Sequence, residues 1–296
     1  MDFSPVILKS RASAKLNTAL KIVGKRPDNY HLLDSVFVPV PQLFDEISIT
    51  LSAGKNSVIM SSNLEEMTDA ETNLCSKAAK KYFKMTDISV KCHIELIKNI
   101  PIGAGLGGGS SDAAEVLKML NSHYRKLSAQ EMHSCALSLG ADVPFFLVNK
   151  PSRVSGIGEN IMPFECRTQL HLMIISPPFA ISTPWAFKHL DPSIIGQDPS
   201  NLSSKLVNAL ENDDILTAAE CMHNDFEKLL FNKFPAYIIW RDYLQQHGAL
   251  HVGISGSGSS FFALFESAST LAAAKKEFYG KFGTIIKING CVIKDD

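Results

Sequence analysis

The segment Pro101-Ile-Gly-Ala-Gly-Leu-Gly-Gly-Gly-Ser-Ser-Asp-Ala113 constrains this chain more than any other, with five glycines between Gly103 and Gly109. Glycine loses more backbone entropy on folding than any other residue, so such a cluster is costly as filler. Its use is that backbone N–H groups can approach a ligand with no Cβ in the way. Ahead of it, Ile88, Val90, Cys92, Ile94 and Leu96 alternate with polar residues, which predicts a half-buried strand. Behind it, Ala113, Val116, Leu117 and Leu120 fall on one face of a helix. Ser110 and Ser111 then stand at the start of that helix, where unpaired N–H groups and the positive dipole end suit an anion. Polyphosphate is the natural guest. The two hydroxyls and Asp112 are placed to add a hydrogen bond or to help hold a magnesium ion.

The same glycines also fit part of other motifs. Gly103, Gly105 and Gly108 satisfy Gly-x-Gly-x-x-Gly, but a dinucleotide-binding fingerprint belongs in the first β-α turn of a parallel unit. This one lies a third of the way along, behind an alternating strand. No Gly-x-x-x-x-Gly-Lys-Ser/Thr occurs, so a Walker-type loop is excluded. A flexible loop followed by a capped helix is the plain alternative.

The remaining chain reads as mixed α+β. Residues 46–51 alternate as a strand, and Ser128 with Glu131 forms a capping box opening a helix that Gly140 ends. A strand is expected over 171–176, helices near 203–211, 214–230 and 233–246, a strand over 261–265, a helix over 268–281 and a last strand near 284–293. Strands and helices mix without a regular β-α-β repeat, which favours α+β over a doubly wound sheet. The domains are expected at 1–163 and 164–296. A formal net charge of -1 argues against nucleic-acid binding. No apolar run approaches the roughly 18 residues of a membrane span, and no secretory signal opens the chain, so a cytoplasmic protein is expected. The six cysteines lack Cys-x-x-Cys spacing and are expected to be buried thiols rather than disulfides or metal ligands.

Four segments, in order along residues 12–262, resemble the motifs of the GHMP kinases. They are Ala14-Lys-Leu-Asn17 with Gly24-Lys-Arg-Pro-Asp-Asn-Tyr-His31, the glycine segment itself, Gly140-Ala-Asp-Val-Pro-Phe-Phe146, and Gly253-Ile-Ser-Gly-Ser-Gly-Ser-Ser-Phe-Phe262. The triple glycine before Ser110 is most similar to the branch acting on a cytidyl-methylerythritol. Departures exist: Ser13 stands where the family commonly has proline, Asn29 replaces a glycine, and Ser155 stands where an acidic residue is common.

That resemblance implies a two-domain α+β fold with the active site in a cleft between the domains. It implies ATP and Mg2+, a small-molecule cytidyl-methylerythritol substrate, no nucleic-acid or membrane partner, and a monomer or weak homodimer. The phosphates would lie on Pro101, Gly103, Gly105, Leu106, Gly107, Gly108, Gly109, Ser110 and Ser111. Asp142 would accept the substrate hydroxyl's proton, and Lys15 beside it would keep it ionised and stabilise developing charge. Tyr30, His31 and Phe187 would receive the cytosine, with Thr183 beside them, and Asn17 would meet a substrate hydroxyl. No protein metal ligands are implied. Read without the family, Lys15 is a solvated lysine and Asp142 a turn residue before Pro144. Asn224-Asp-Phe-Glu227 echoes a further family segment and is read as structural. The alternatives are another GHMP kinase acting on homoserine, mevalonate or a sugar, or a catalytically silent nucleotide-binding member.

Overall fold

The structure, a computed structural model, describes residues 4–197, 201–283 and 287–293. The chain forms two compact units: Met1–Ala14, Leu43–Ile100 and Gly107–Asn149 in the first, and Lys15–Gln42, Pro101–Leu106 and Lys150–Asp296 in the second. The expected cut at 163/164 lies within the second unit, which already begins at Lys15.

The first unit takes the outer parts of two long strands, β1 (Val6–Lys25) and β2 (His31–Ser52). It adds β3 (Ser57–Ser62), α1 (Leu74–Thr86), β4 (Lys91–Ile97), α2 (Gly108–Tyr124), α3 (Ala129–Leu137) and α4 (Val143–Val148). Strand β4 runs antiparallel to β2, with Ile94 opposite Ile49, and parallel to β3. The expected alternation is borne out: Cys92, Ile94 and Leu96 are buried, whereas Lys91, His93, Glu95 and Ile97 face outward. Pairing begins only at Lys91, so Ile88 and Val90 precede the strand. The inward residues meet the apolar faces of α1 and α2, where Ala78, Ala79, Tyr82 and Phe83 are buried with Ala113, Val116, Leu117 and Leu120. The capping box of α3 is present, with Glu131 N donating to Ser128 Oγ at 3.3 Å and Ser128 N to Glu131 Oε2 at 2.8 Å. Such a cap is worth about 1 kcal/mol.

In the second unit β1 and β2 turn through Arg26–Tyr30, where Asn29 takes φ 70°, a left-handed backbone that asparagine tolerates. Residues 12–20 of β1 are buried without alternation, so both faces of the strand are covered. The unit continues with β5 (Ser152–Gly156), β6 (Asn160–Pro163), β7 (Leu170–Ser176), α5 (Thr183–Lys188), α6 (Leu202–Glu211), α7 (Ile215–Cys221) and β8 (His223–Asn224). It closes with α8 (Glu227–Lys233), α9 (Ala236–Gln246), β9 (Ala249–Ile254), β10 (Phe261–Phe265), α10 (Ala268–Phe282) and β11 (Lys287–Ile293). Strand β5 pairs with β2 and β6, and a separate antiparallel sheet runs β11-β7-β10-β9. Its core gathers Phe226, Leu230, Tyr237, Trp240, Phe261 and Phe278, with Trp240 stacked on Phe261 at 5.4 Å.

The helix expected over 214–230 is two helices, which corrects that reading. Between α7 and α8 the chain drops to β1, where Asp225 N donates to Leu20 O at 3.0 Å and Ile22 N donates to Asp225 Oδ2 at 2.8 Å. Asn and Asp side chains compete with the helical backbone for hydrogen bonds, and here tertiary partners decide the competition. The strands over 261–265 and 171–176 and the helix over 268–281 are borne out to within a residue. The last strand is found at Lys287–Ile293, and residues 284–286 of its expected span lie outside the described ones. Among the described residues, Cys75, Cys92, Cys135, Cys166 and Cys221 are buried free thiols, as expected, and no helix is long and apolar enough to cross a membrane.

Candidate active site

Residues 101–106 of the glycine segment are pinned to the second unit by backbone bonds. Lys15 N donates to Leu106 O and Ser260 N to Ala104 O, both at 3.0 Å, and Ser255 Oγ donates to Gly105 O at 2.9 Å. Gly105 has φ 76°, and a Cβ there would lie 2.1 Å from Ser255 O, so two glycine-rich strands of chain touch where no side chain fits. Gly105→Ala is therefore expected to cost about 1–3 kcal/mol from the left-handed backbone alone and to separate the two loops. Thermal melting and ATP calorimetry on that variant check this, and unchanged ATP affinity would count against the contact.

In the first unit α2 starts at Gly108 with Gly107 as its N-cap at φ 71°, and no side chain caps it. The N–H groups of its first turn have no helical partner, and the dipole's positive end lies there. Ser110 is half-buried at this start, while Ser111 is buried within the helix. The arrangement fits a polyphosphate.

Asp112 departs from expectation. It is buried and accepts from Lys98 Nζ at 2.8 Å, while Lys98 also pairs with Asp45. Asp45 Oδ1 in turn accepts from Asn99 N at 2.6 Å and Ile100 N at 2.8 Å. Two buried carboxylates share one ammonium. Burial pushes Asp112 up to about 8, against the attraction of Lys98 and with Asp45 adding to the rise. Lys98 is held above its ordinary value because the two carboxylates outweigh its own burial. Asp112 Oδ2 is thus engaged inside the fold, while its Oδ1 is buried with no hydrogen-bond partner among the described residues. Among the described residues no group of three or more His, Cys, Asp or Glu is arranged to hold a metal ion.

Lys15 is 3% exposed, which removes the reading of a solvated lysine. Its Nζ donates to Asn17 Oδ1 at 2.6 Å and sits 4.2 Å from the centre of the Phe37 ring. Asn17 Nδ2 donates to Ser35 Oγ at 3.2 Å, and Asn17 N donates to Ser255 Oγ at 3.2 Å. Lys15, Asn17, Ser255 and Gly105 therefore meet in one unit, fixed by a single hydroxyl. Ser255 was not singled out from the sequence; its position inside the third glycine motif was the only signal.

His31 and Phe187 stack with ring centres 4.7 Å apart at 23°, and Phe187 packs edge-on to Phe226 at 5.0 Å. Burial, with Lys25 adding to it, holds His31 below its usual range, so the ring is neutral at pH 7 and can both donate and accept. Tyr30, in the adjoining turn, is 59% exposed. Thr183 Oγ1 lies 2.8 Å from Ser257 Oγ, which ties the start of α5 to the third glycine motif. Asp142 belongs to the first unit, half-buried at the N-cap of α4 with Pro144 in the first turn; its side chain does not cap the helix. At the other end of α4, Ser13 Oγ donates to Asn149 Oδ1 at 3.1 Å, a bond that a proline at position 13 would lack.

The fold agrees with the comparisons to known proteins. Residues 73–150 match the GHMP kinases N terminal domain, and residues 206–284 match the GHMP kinases C terminal model. The chain belongs to the GHMP kinase family. Within that family it is 37% identical to the 4-diphosphocytidyl-2-C-methyl-D-erythritol kinase of Prosthecochloris aestuarii, over 90% of this chain and 92% of that one. It is 36% identical to the kinase of the same name from Bacteroides fragilis, over 91% and 96%. A crystal structure of 4-(cytidine 5'-diphospho)-2C-methyl-D-erythritol kinase superposes with a TM-score of 0.80 at 28% identity, covering 98% of this chain and 100% of that one. Homoserine kinase from Cytophaga hutchinsonii shares the fold at a TM-score of 0.75 and 22% identity, covering 97% of this chain and 94% of that one.

Proposed function

We propose that this chain transfers the γ-phosphate of ATP to the 2-hydroxyl of 4-diphosphocytidyl-2-C-methyl-D-erythritol, releasing ADP. The observation carrying this reading is the relationship, over nine-tenths of the chain, to kinases named for that substrate. The neutral His31 ring stacked on Phe187 supports a nucleobase site in particular.

Phosphoryl transfer needs positioning and charge stabilisation more than covalent help. The glycine segment and the start of α2 hold the β- and γ-phosphates through backbone N–H groups. Magnesium would come with the nucleotide substrate and would offset phosphate charge, and the Ser110 hydroxyl at the helix start would be the protein oxygen offered to it. Asp142 takes the proton from the attacking hydroxyl, and the Lys15 ammonium stabilises charge on the transferring group. Asn17, holding Lys15, orients the ammonium. Tyr30, His31 and Phe187 take the cytosine, and Thr183 lines the same region. The protein is proposed to act in the cytoplasm as a monomer or weak homodimer.

A coupled ADP-release assay with MgATP and a panel of the cytidyl compound, mevalonate, homoserine and galactose tests the reading. Turnover on the cytidyl compound alone is expected, and turnover only on another member would overturn the substrate. Phe187→Ala is expected to weaken cytidyl-substrate binding by about 1–3 kcal/mol, the range for base–aromatic stacking, with ATP affinity unchanged.

A further inference from the structure

The segment between α7 and α8 does more than end a helix. Asn224 is buried at the bridge to β1, and its side-chain amide is fully used. Nδ2 donates to both Ile254 O and Gly256 O at 2.8 Å, and Oδ1 accepts from Phe226 N at 2.9 Å. The two carbonyls flank Ser255, whose hydroxyl accepts from Asn17 N and donates to Gly105 O. On its other side Asn224 fixes Phe226, the ring against which Phe187 packs edge-on beneath His31. One amide therefore joins the aromatic platform to the turn that seats Lys15, Asn17 and the glycine segment. Glu227 adds a second hold on the same turn, its Oε1 accepting from Ile254 N at 3.2 Å.

We infer that Asn224 is a positioning residue for phosphoryl transfer: its two donated bonds set Ser255 so that Asn17 and Gly105 are held in register, and its carbonyl separately supports the aromatic platform. This rests on the proposed function for the identity of the ligands. It acts through Ser255 and touches no substrate. A displacement of about 1 Å in groups that must be aligned can cost on the order of 100-fold in rate, so a shift passed through Ser255 and Asn17 to Lys15 should be visible in kcat.

The two roles separate chemically. Asn224→Asp keeps an oxygen for Phe226 N but turns both donors into an acceptor facing two carbonyls. The expected result is a kcat lower by about 10- to 100-fold and a raised KM for ATP, with cytidine 5′-monophosphate binding by calorimetry close to wild type. An Asn224→Asp enzyme with wild-type kcat and KM for ATP would overturn the inference. Equal losses in catalysis and in cytidine monophosphate binding would also overturn it, because they would mean general loosening of the unit. Should Asn224→Asp not fold, Ser255→Ala cuts the same chain of bonds at its last link with a smaller change; the same split supports the inference, and an unaffected enzyme removes it. If the wild-type protein phosphorylates nothing in the panel, the proposed substrate fails first. The inference then stands or falls on ATP binding alone, with weaker ATP binding and unchanged cytidine monophosphate binding supporting it and equal binding refuting it.

Discussion

Asp142→Asn is expected to lower kcat by about 10²–10⁴-fold, the range lost with a general base, while ATP affinity stays close to wild type. The substitution is isosteric, and asparagine is as good an N-cap as aspartate. Since the side chain does not cap α4, the helix start is left intact either way. What changes is the proposed ability to take a proton from the attacking hydroxyl. A drop in kcat with little change in KM is the signature of a group acting only in the transition state. ADP release under saturating ATP, together with ATP calorimetry on the same preparation, gives both quantities. Turnover like wild type in the variant would remove Asp142 from the mechanism and leave it as a turn residue before Pro144.

Motifs built from local chemistry were readable in the sequence, and those built from distant partners were not. The strand at β4 was legible because one face meets a core and the other meets solvent, so period-2 alternation survives in Cys92, Ile94 and Leu96. The capping box at Ser128 was legible because both of its bonds lie within four residues. Strand β1 was not, although it carries Lys15 and Asn17, because a strand covered on both faces has no alternation to find. Strand β9, which leads into the third glycine motif, was missed as well; His251 and Gly253 interrupt its apolar run. The split of the 214–230 helix depends on Leu20 and Ile22, about two hundred residues earlier in the chain. At the site, residue types singled out the glycine segment and the rings of His31 and Phe187, which the structure stacks on each other. Nothing in their spacing pointed to Ser255 as the hydroxyl between Asn17 and Gly105, or to Asn224 behind it. Asp112 shows the same limit: next to Ser111 at a helix start it reads as a phosphate or metal contact, and nothing in its spacing points to the ion pair that its Oδ2 makes with Lys98.

Lys98→Met is expected to destabilise the protein by about 3–5 kcal/mol, because it leaves two buried carboxyl groups without the ammonium that they share. In a chain of this size that corresponds to a fall in melting temperature on the order of 10 °C. Adding Asp112→Asn to Lys98→Met should recover part of the loss, since one of the two orphaned carboxyls is then replaced by a neutral amide. Asp112→Asn alone reports on pH. Asp112 has a folded value raised to about 8 against an ordinary value of 3.8, so the folded state holds its proton more tightly than the unfolded state. Its contribution is fully present below about pH 4 and is lost as pH rises toward 8. Across that window the melting temperature of the wild type should fall relative to that of Asp112→Asn. A Lys98→Met variant melting at the wild-type temperature would sink this account of the buried triad. The consequence reaches the phosphate segment, because Lys98 Nζ lies 3.1 Å from where a Cβ on Gly108 would be. The ammonium sits under the first residue of α2, so loosening the triad also loosens the helix start proposed to hold the phosphates. Nucleotide affinity in Lys98→Met should therefore fall even at temperatures where the variant is fully folded.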